Sequence, residues 1–164
     1  MKCFEIAANP SIASLGSVER DQVEPSGDDL LVRVEASSLN FHDYLVVTGA
    51  IKVALGRVPL SDGVGIVEEC GPDSTRFRPG DRVMGTFFAD WPDGPPTAAG
   101  TGRMLGDHVD GFASRYVTMS EKRFTRAPAG LSPAEAATLP CAGLTAWRAT
   151  VIEGNIKPGD TVLV

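Results

Sequence analysis

The stretch KPGDTVLV, Lys157 to Val164, decides the fold. Lys-Pro-Gly-Asp reads as a tight turn, because Pro presets φ at the second turn position and Gly accepts the positive φ that a type II turn needs at the third. The β-branched, apolar run behind it predicts the start of a buried strand. Such a strand needs neighbours. The expectation is therefore a chain that leaves one domain here and enters another.

Working back from this turn, two helices come first. Ser132-Pro133-Ala134-Glu135 is a helix start: a Ser N-cap, Pro at the first helical position, and Glu three residues on to close a capping box. That helix is predicted to run to about Leu139. After Pro140, AGLTAWRATVIEGN (142–155) puts Leu144, Trp147 and Val151 on one face, and Gly154 stops it. Further back, FRPGDRV (77–83) echoes IKPGDTV (156–162) as apolar, basic, Pro, Gly, Asp, any, Val. Seven residues are too few for a structural repeat, so both read as turn-to-strand starters.

The first part of the chain is β-rich. KCFEI (2–6), LLVRVEASSL (30–39), VGIVEEC (64–70), DRVMGTFF (81–88) and FASRYVTMS (112–120) are β-type runs separated by Gly, Pro, Asp and Ser. FHDYLVVTG (41–49) interrupts them with apolar residues at helical spacing and a Gly stop, predicting one short helix. Residues 89–111 are Pro- and Gly-rich without periodicity and predict a long surface loop. Strands followed by helices and a last strand give the order of a chain passing from a β-barrel-like domain into an α/β domain.

Composition narrows the function. With 164 residues, 43% of them apolar, the chain buries a sizeable core. A formal charge of −6 without clustered Lys and Arg argues against nucleic acid as a partner. An acid at Glu5 breaks any signal-peptide run, and no apolar stretch reaches membrane-spanning length, so the expected location is cytoplasmic, with no membrane partner. Three widely spaced cysteines, Cys3, Cys70 and Cys141, form neither a disulfide framework nor a CxxC pair.

Taken in order, SSLNFHDYLVVTG, VPLSDGVGIVEECG, FRPGDRVMG, FASRYVTMS, LSPAEAATLPCAGLTAW and IKPGDTVLV resemble the N-terminal catalytic domain of medium-chain dehydrogenases/reductases. That superfamily holds zinc alcohol dehydrogenases and zinc-free quinone oxidoreductases. The resemblance implies a mainly β fold, a GroES-like β-barrel over 1–131. Residues 132–164 would then be linker helices and the first strand of a Rossmann domain absent from this sequence. It implies an enzyme that uses NADP(H) or NAD(H), bound in the cleft between the two domains. The Gly-rich turn that would cradle pyrophosphate follows that first strand, beyond Val164. GTGRMLG (100–106) does not replace it: its third Gly comes one residue late, and it follows a loop instead of a strand.

In zinc-type relatives the resemblance places the catalytic ligands at Asn40, Asp62 and Cys141. A catalytic zinc needs three protein ligands and an open fourth position, and Asn is a poor one. The lobe that carries a structural zinc in such relatives corresponds to 89–111, which has no cysteine. No zinc is expected at either place.

The candidate catalytic residues are Asn40, His42 and Asp62. Asn40 faces the nicotinamide or makes a local turn hydrogen bond. His42 is a proton relay or an ordinary exposed histidine. Asp62 is a cleft carboxylate or a turn-forming residue. Asp43 matches a family position behind the active site. The candidate cofactor contacts are Asn40, Cys141 and Thr145; Cys141, at the head of the second helix, is either a thiol of lowered pKa or an inert buried hydrophobe. The expectation is hydride transfer between the cofactor and a small-molecule quinone, enone or carbonyl. The 164-residue chain alone is expected to be inactive, with the terminal strand either frayed or held in dimer contacts. The alternatives are a standalone GroES-like binding module without catalysis, or a zinc alcohol dehydrogenase with an unusual Asp/Cys site.

Overall fold

The computed structural model describes residues 1–88, 90–91 and 93–163. It contains a two-stranded antiparallel sheet, β1 (Lys2–Glu5) with β2 (Gly16–Glu19), and a five-stranded antiparallel sheet. The larger sheet is built from β3 (Asp29–Ser38), β4 (Asp62–Cys70), β5 (Arg82–Gly85), β6 (Tyr116–Ser120) and β7 (Phe124–Arg126), in the order β6-β3-β4-β5-β7. Its two outermost strands are consecutive in the chain, joined only by a 3₁₀ turn, Glu121–Arg123. A flat sheet would hold those edges about 19 Å apart, four spacings of roughly 4.8 Å. A 3₁₀ turn advances only about 2 Å per residue. The sheet therefore curls, and its concave side closes on itself as a barrel.

Inside the curl sit Leu30, Val32, Val67, Val83, Phe112 and Phe124, essentially without solvent contact. Phe112 and Phe124 meet edge to face with centroids 6.5 Å apart. The Phe112 ring lies on the backbone of β4 and β5, where a Cβ added at Gly63 or Gly85 would come within 2.2 and 2.4 Å of it. Glycine is required there for close approach. Cutting Phe112 to Ala would cost about 3–5 kcal/mol.

All five predicted runs form strands: β1, β3, β4, β5 and β6. The run 81–88 pairs only to Gly85; Phe87 and Phe88 leave the ladder and stack edge to face at 5.0 Å. β2 and β7 were not predicted. They are short, and most of their residues are exposed, so they carry little periodic signal. α1 (Phe41–Val47) is the predicted helix, and Gly49 leaves it at φ +77°. In 89–111 the described residues include a short helix, α2 (Ala98–Thr101), and a closed turn over Met104–Val109.

α3 (Pro133–Ala137) starts on the predicted capping box: Glu135 N donates to Ser132 Oγ at 3.3 Å, and Ser132 N donates to Glu135 Oε2 at 2.8 Å. A second helical run follows, with Pro140 in its first turn. It consists of wide, π-type turns at Leu139–Gly143 and Arg148–Glu153 around α4 (Leu144–Trp147), and Gly154 caps it. Leu144, Trp147 and Val151 are all exposed. The KPGD turn forms, with Asp160 N donating to Lys157 O at 3.0 Å and Gly159 at φ +99°. Beyond it, 161–163 has no ladder partner among the described residues, and Val164 lies outside them. No helix among the described residues is long and apolar enough to cross a membrane.

Candidate functional site

One end of the β3–β4 pair carries the site. The register sets Ser38 opposite Asp62 and Ser37 opposite Gly63, so the residue leaving β3 arrives beside the residue opening β4. Asn40 is the N-cap residue of α1, paired with Asp43 at the third helical position. Its amide NH₂ donates to Ser61 Oγ at 3.1 Å and to Asp62 Oδ2 at 3.0 Å, the latter 22 residues away in sequence. With acceptors on both, the orientation of the amide is set by chemistry. Asp43 Oδ2 accepts from Asn40 N at 2.8 Å, and its Oδ1 accepts from Ser61 N at 2.8 Å.

Asp62 is fully buried. Oδ2 accepts from Asn40 Nδ2, from Ser38 Oγ at 3.3 Å and from Cys141 N at 3.3 Å; Oδ1 has no partner. Burial pushes the carboxyl above the usual range and Asp43 adds to it, while the hydrogen bonds from Asn40 and Cys141 pull the other way. Leu60, just before this pair, sits at φ +77°, a strained setting for a branched side chain that aims Ser61 and Asp62 into the cluster.

Asn40, Asp62 and the backbone of Cys141 are thus brought together, with Ser61 and Ser38 as members that the sequence reading missed. Nothing in their spacing signals them; the β3–β4 register does. Cys141 is the third residue of the second helical run, in its first turn as expected, and its backbone N–H donates to Asp62. Its thiol is pushed up, first by burial and then by the charges of Asp62 and Asp43, which favours the inert reading over the reactive one. Thr145 is exposed on α4, and no hydrogen bond among the described residues joins it to the cluster. His42 faces the other way, with Nε2 3.6 Å from Asp107 Oδ2 and its ring edge-on to Phe87.

At the positions where the resemblance places zinc ligands, the polar groups are engaged with one another. Asn40 presents its NH₂ to Asp62, and Asp62 Oδ2 is already bonded by three donors. The Cys141 thiol is held toward its protonated form, and no group of three or more His, Cys, Asp or Glu side chains comes together as ligands among the described residues. GTGRMLG makes no phosphate cradle either. Gly100 lies in α2, and Gly106 N already donates to Val109 O at 2.9 Å.

Comparison with known proteins agrees with this architecture. A zinc-type alcohol dehydrogenase-like protein of Schizosaccharomyces pombe is 40% identical over 140 residues, which is 83% of this chain and 40% of that protein. A chloroplastic quinone-oxidoreductase of Triphysaria versicolor is 33% identical over 141 residues, 84% of this chain and 37% of that protein. The crystal structure of a putative alcohol dehydrogenase from Sinorhizobium meliloti 1021 superposes with a TM-score of 0.84 at 42% identity, over 98% of this chain and 49% of that one. The chain therefore spans half or less of the length of these relatives. The alcohol dehydrogenase GroES-like domain model matches residues 26–129, and the chain belongs to that family, within the medium-chain dehydrogenase/reductase superfamily.

Proposed function

We propose that this chain is the substrate-facing domain of a zinc-independent oxidoreductase that moves hydride between NAD(P)H and a quinone, enone or carbonyl. The carrying observation is the Asn40–Asp62 hydrogen bond at positions where the resemblance places zinc ligands. A quinone-oxidoreductase and an NAD-dependent alcohol dehydrogenase stand among the similar proteins. The nicotinamide cofactor supplies the hydride when bound. Asn40, Cys141 and Thr145 would border its nicotinamide end, and the exposed Leu39 and Phe41 offer an apolar surface that excludes water beside them. Asp62 is buried and acts by holding Asn40 and the Cys141 backbone in place.

The natural protein carrying this sequence is the one to assay, with NADPH and NADH against quinones, enones and aldehydes, with and without a chelator. Turnover that survives chelation is expected. Loss of turnover on chelation overturns zinc independence, and no turnover with any substrate overturns the oxidoreductase reading. The zinc-type description of the Schizosaccharomyces pombe protein favours a second reading, a zinc enzyme with an Asp62/Cys141 site. Stoichiometric zinc in the purified chain would establish it. The 164-residue chain alone is expected to bind NADPH weakly, since the described residues contain no phosphate-binding turn; micromolar binding by calorimetry would contradict this.

A further inference from the structure

An open pocket of about 320 Å³, sharing no lining residue with the Asn40–Asp62 cluster, lies between residues 6–10 and the loop 49–55 that follows α1. Ile6, Pro10, Ile51, Val53 and Leu55 line it, and Lys52 stands among them. Ile6 is 3% exposed and packs in one core cluster with Val46 and Val47, so the base of the pocket is fixed to the fold. Lys52 is the only charged lining residue. Its side chain is exposed and makes no ion pair among the described residues. Glu5, next to Ile6 at the end of β1, is taken up by Arg20.

Backbone hydrogen bonds build the walls. Ile6 N donates to Arg57 O at 2.9 Å and Gly56 N to Ile6 O at 3.1 Å, which ties one wall to the end of the other. Ile51 N donates to Leu45 O at 3.0 Å and anchors the loop to α1. A Cβ at Gly49 would come within 3.0 Å of Pro10, so the two segments close on each other at that side. A pocket built by the backbone in this way needs little further ordering when it binds.

We propose that this pocket binds the anion of a medium-chain aliphatic carboxylic acid, with the tail against Ile6, Ile51 and Val53 and the carboxylate at Lys52 Nζ. At about 30 Å³ per molecule the pocket would hold roughly ten waters, which is room for a chain of about eight carbons. Water there faces apolar walls, so its replacement by methylenes is favourable. On a chain of net charge −6, one exposed lysine holds an inorganic anion poorly, since an exposed ion pair is screened and contributes little. It does set the sign of the head group on a ligand whose tail supplies the affinity. The site takes no part in hydride transfer and stands or falls without the reductase reading.

Amide NMR of the nitrogen-15-labelled 164-residue chain, titrated with octanoate below its micellar concentration at about pH 7, where the carboxylate is ionised, tests this. Saturable shifts are expected at Ile6, Gly49, Ile51, Lys52 and Val53, with Asn40 and Cys141 unmoved. Each methylene removed should weaken binding about threefold, so hexanoate should bind about tenfold more weakly. Lys52→Ala should weaken octanoate about threefold and Lys52→Arg should leave it unchanged; the exposed position keeps both variants folded. Octylammonium, the same tail with the opposite charge, should bind about tenfold more weakly, and inorganic phosphate should give no saturable shift. The absence of saturable shifts with octanoate, or shifts centred on the exposed Leu144–Trp147 face, overturns the proposal. Equal binding of octanoate and octylammonium, or of octanoate by Lys52→Ala and the unaltered chain, overturns it as well. No cofactor enters the measurement, so its failure is separate from failure of the reductase reading.

Discussion

The two Pro-Gly-Asp turns are the same structure in different company. In each, the Asp backbone N–H donates to the carbonyl three residues earlier, and that residue's own N–H donates to the Asp carboxylate: Arg78 to Asp81 Oδ2 at 3.1 Å, and Lys157 to Asp160 Oδ2 at 2.7 Å. Gly80 and Gly159 lie at φ +92° and +99°. The surroundings then diverge. Gly80 N donates to Val67 O at 2.8 Å, Val67 N donates to Asp81 O at 2.9 Å, and β5 follows with Val83 at 0% exposure. After the second turn Val162 is 46% and Leu163 99% exposed. Seven residues suffice to make the turn; the strand behind it exists only where a neighbouring strand receives it.

The largest expected effect separates the two strands. Val83→Ala should cost about 2–3 kcal/mol in urea denaturation, and Val162→Ala almost nothing; equal costs would mean that the second run is buried in solution. Next come the glycines. Neither meets a neighbour where a Cβ would stand, so Ala at either position carries only the left-handed backbone penalty, about 1–2 kcal/mol. For Gly80→Ala that penalty should appear in global stability, whereas Gly159→Ala should change only the local amide signals of 157–163. A global loss from Gly159→Ala would show the terminal turn to be part of the cooperative unit.

The smallest effect is electrostatic. A hydrogen bond from Arg126 Nη1, 3.0 Å from Asp81 Oδ1, is the main cause holding the Asp81 carboxyl below its ordinary value of 3.8. A lowered folded-state pKa contributes stability above that ordinary value and loses it as pH falls through the lowered one. Arg126→Ala should therefore move acid unfolding to higher pH, and Lys157→Ala should leave it where it is. Circular dichroism across an acid titration reads both.

Much of the fold was legible. The β runs, the Gly49 stop, the Ser132–Glu135 capping box and the Gly154 stop are local signals, and local energetics enforce them. β2 and β7 were not legible because short exposed strands have no hydrophobic alternation to read. The candidate site was legible only in part. Asn40, Asp62 and Cys141 lie together, but Ser61 and Ser38 enter through the β3–β4 register, and Asp107 reaches His42 through a closed turn inside a segment that reads as featureless loop.

By itself, then, the sequence determined the turns, the caps and the order of elements, since each depends on φ preferences and hydrogen bonds within a few residues. The tertiary structure decided which PGD turn would carry a strand. It also decided that Asn40 would bond Asp62, 22 residues away, and that the Cys141 thiol would be discouraged from ionising. Those outcomes depend on burial and on partners distant in the chain, and neither is written in any short stretch of residues.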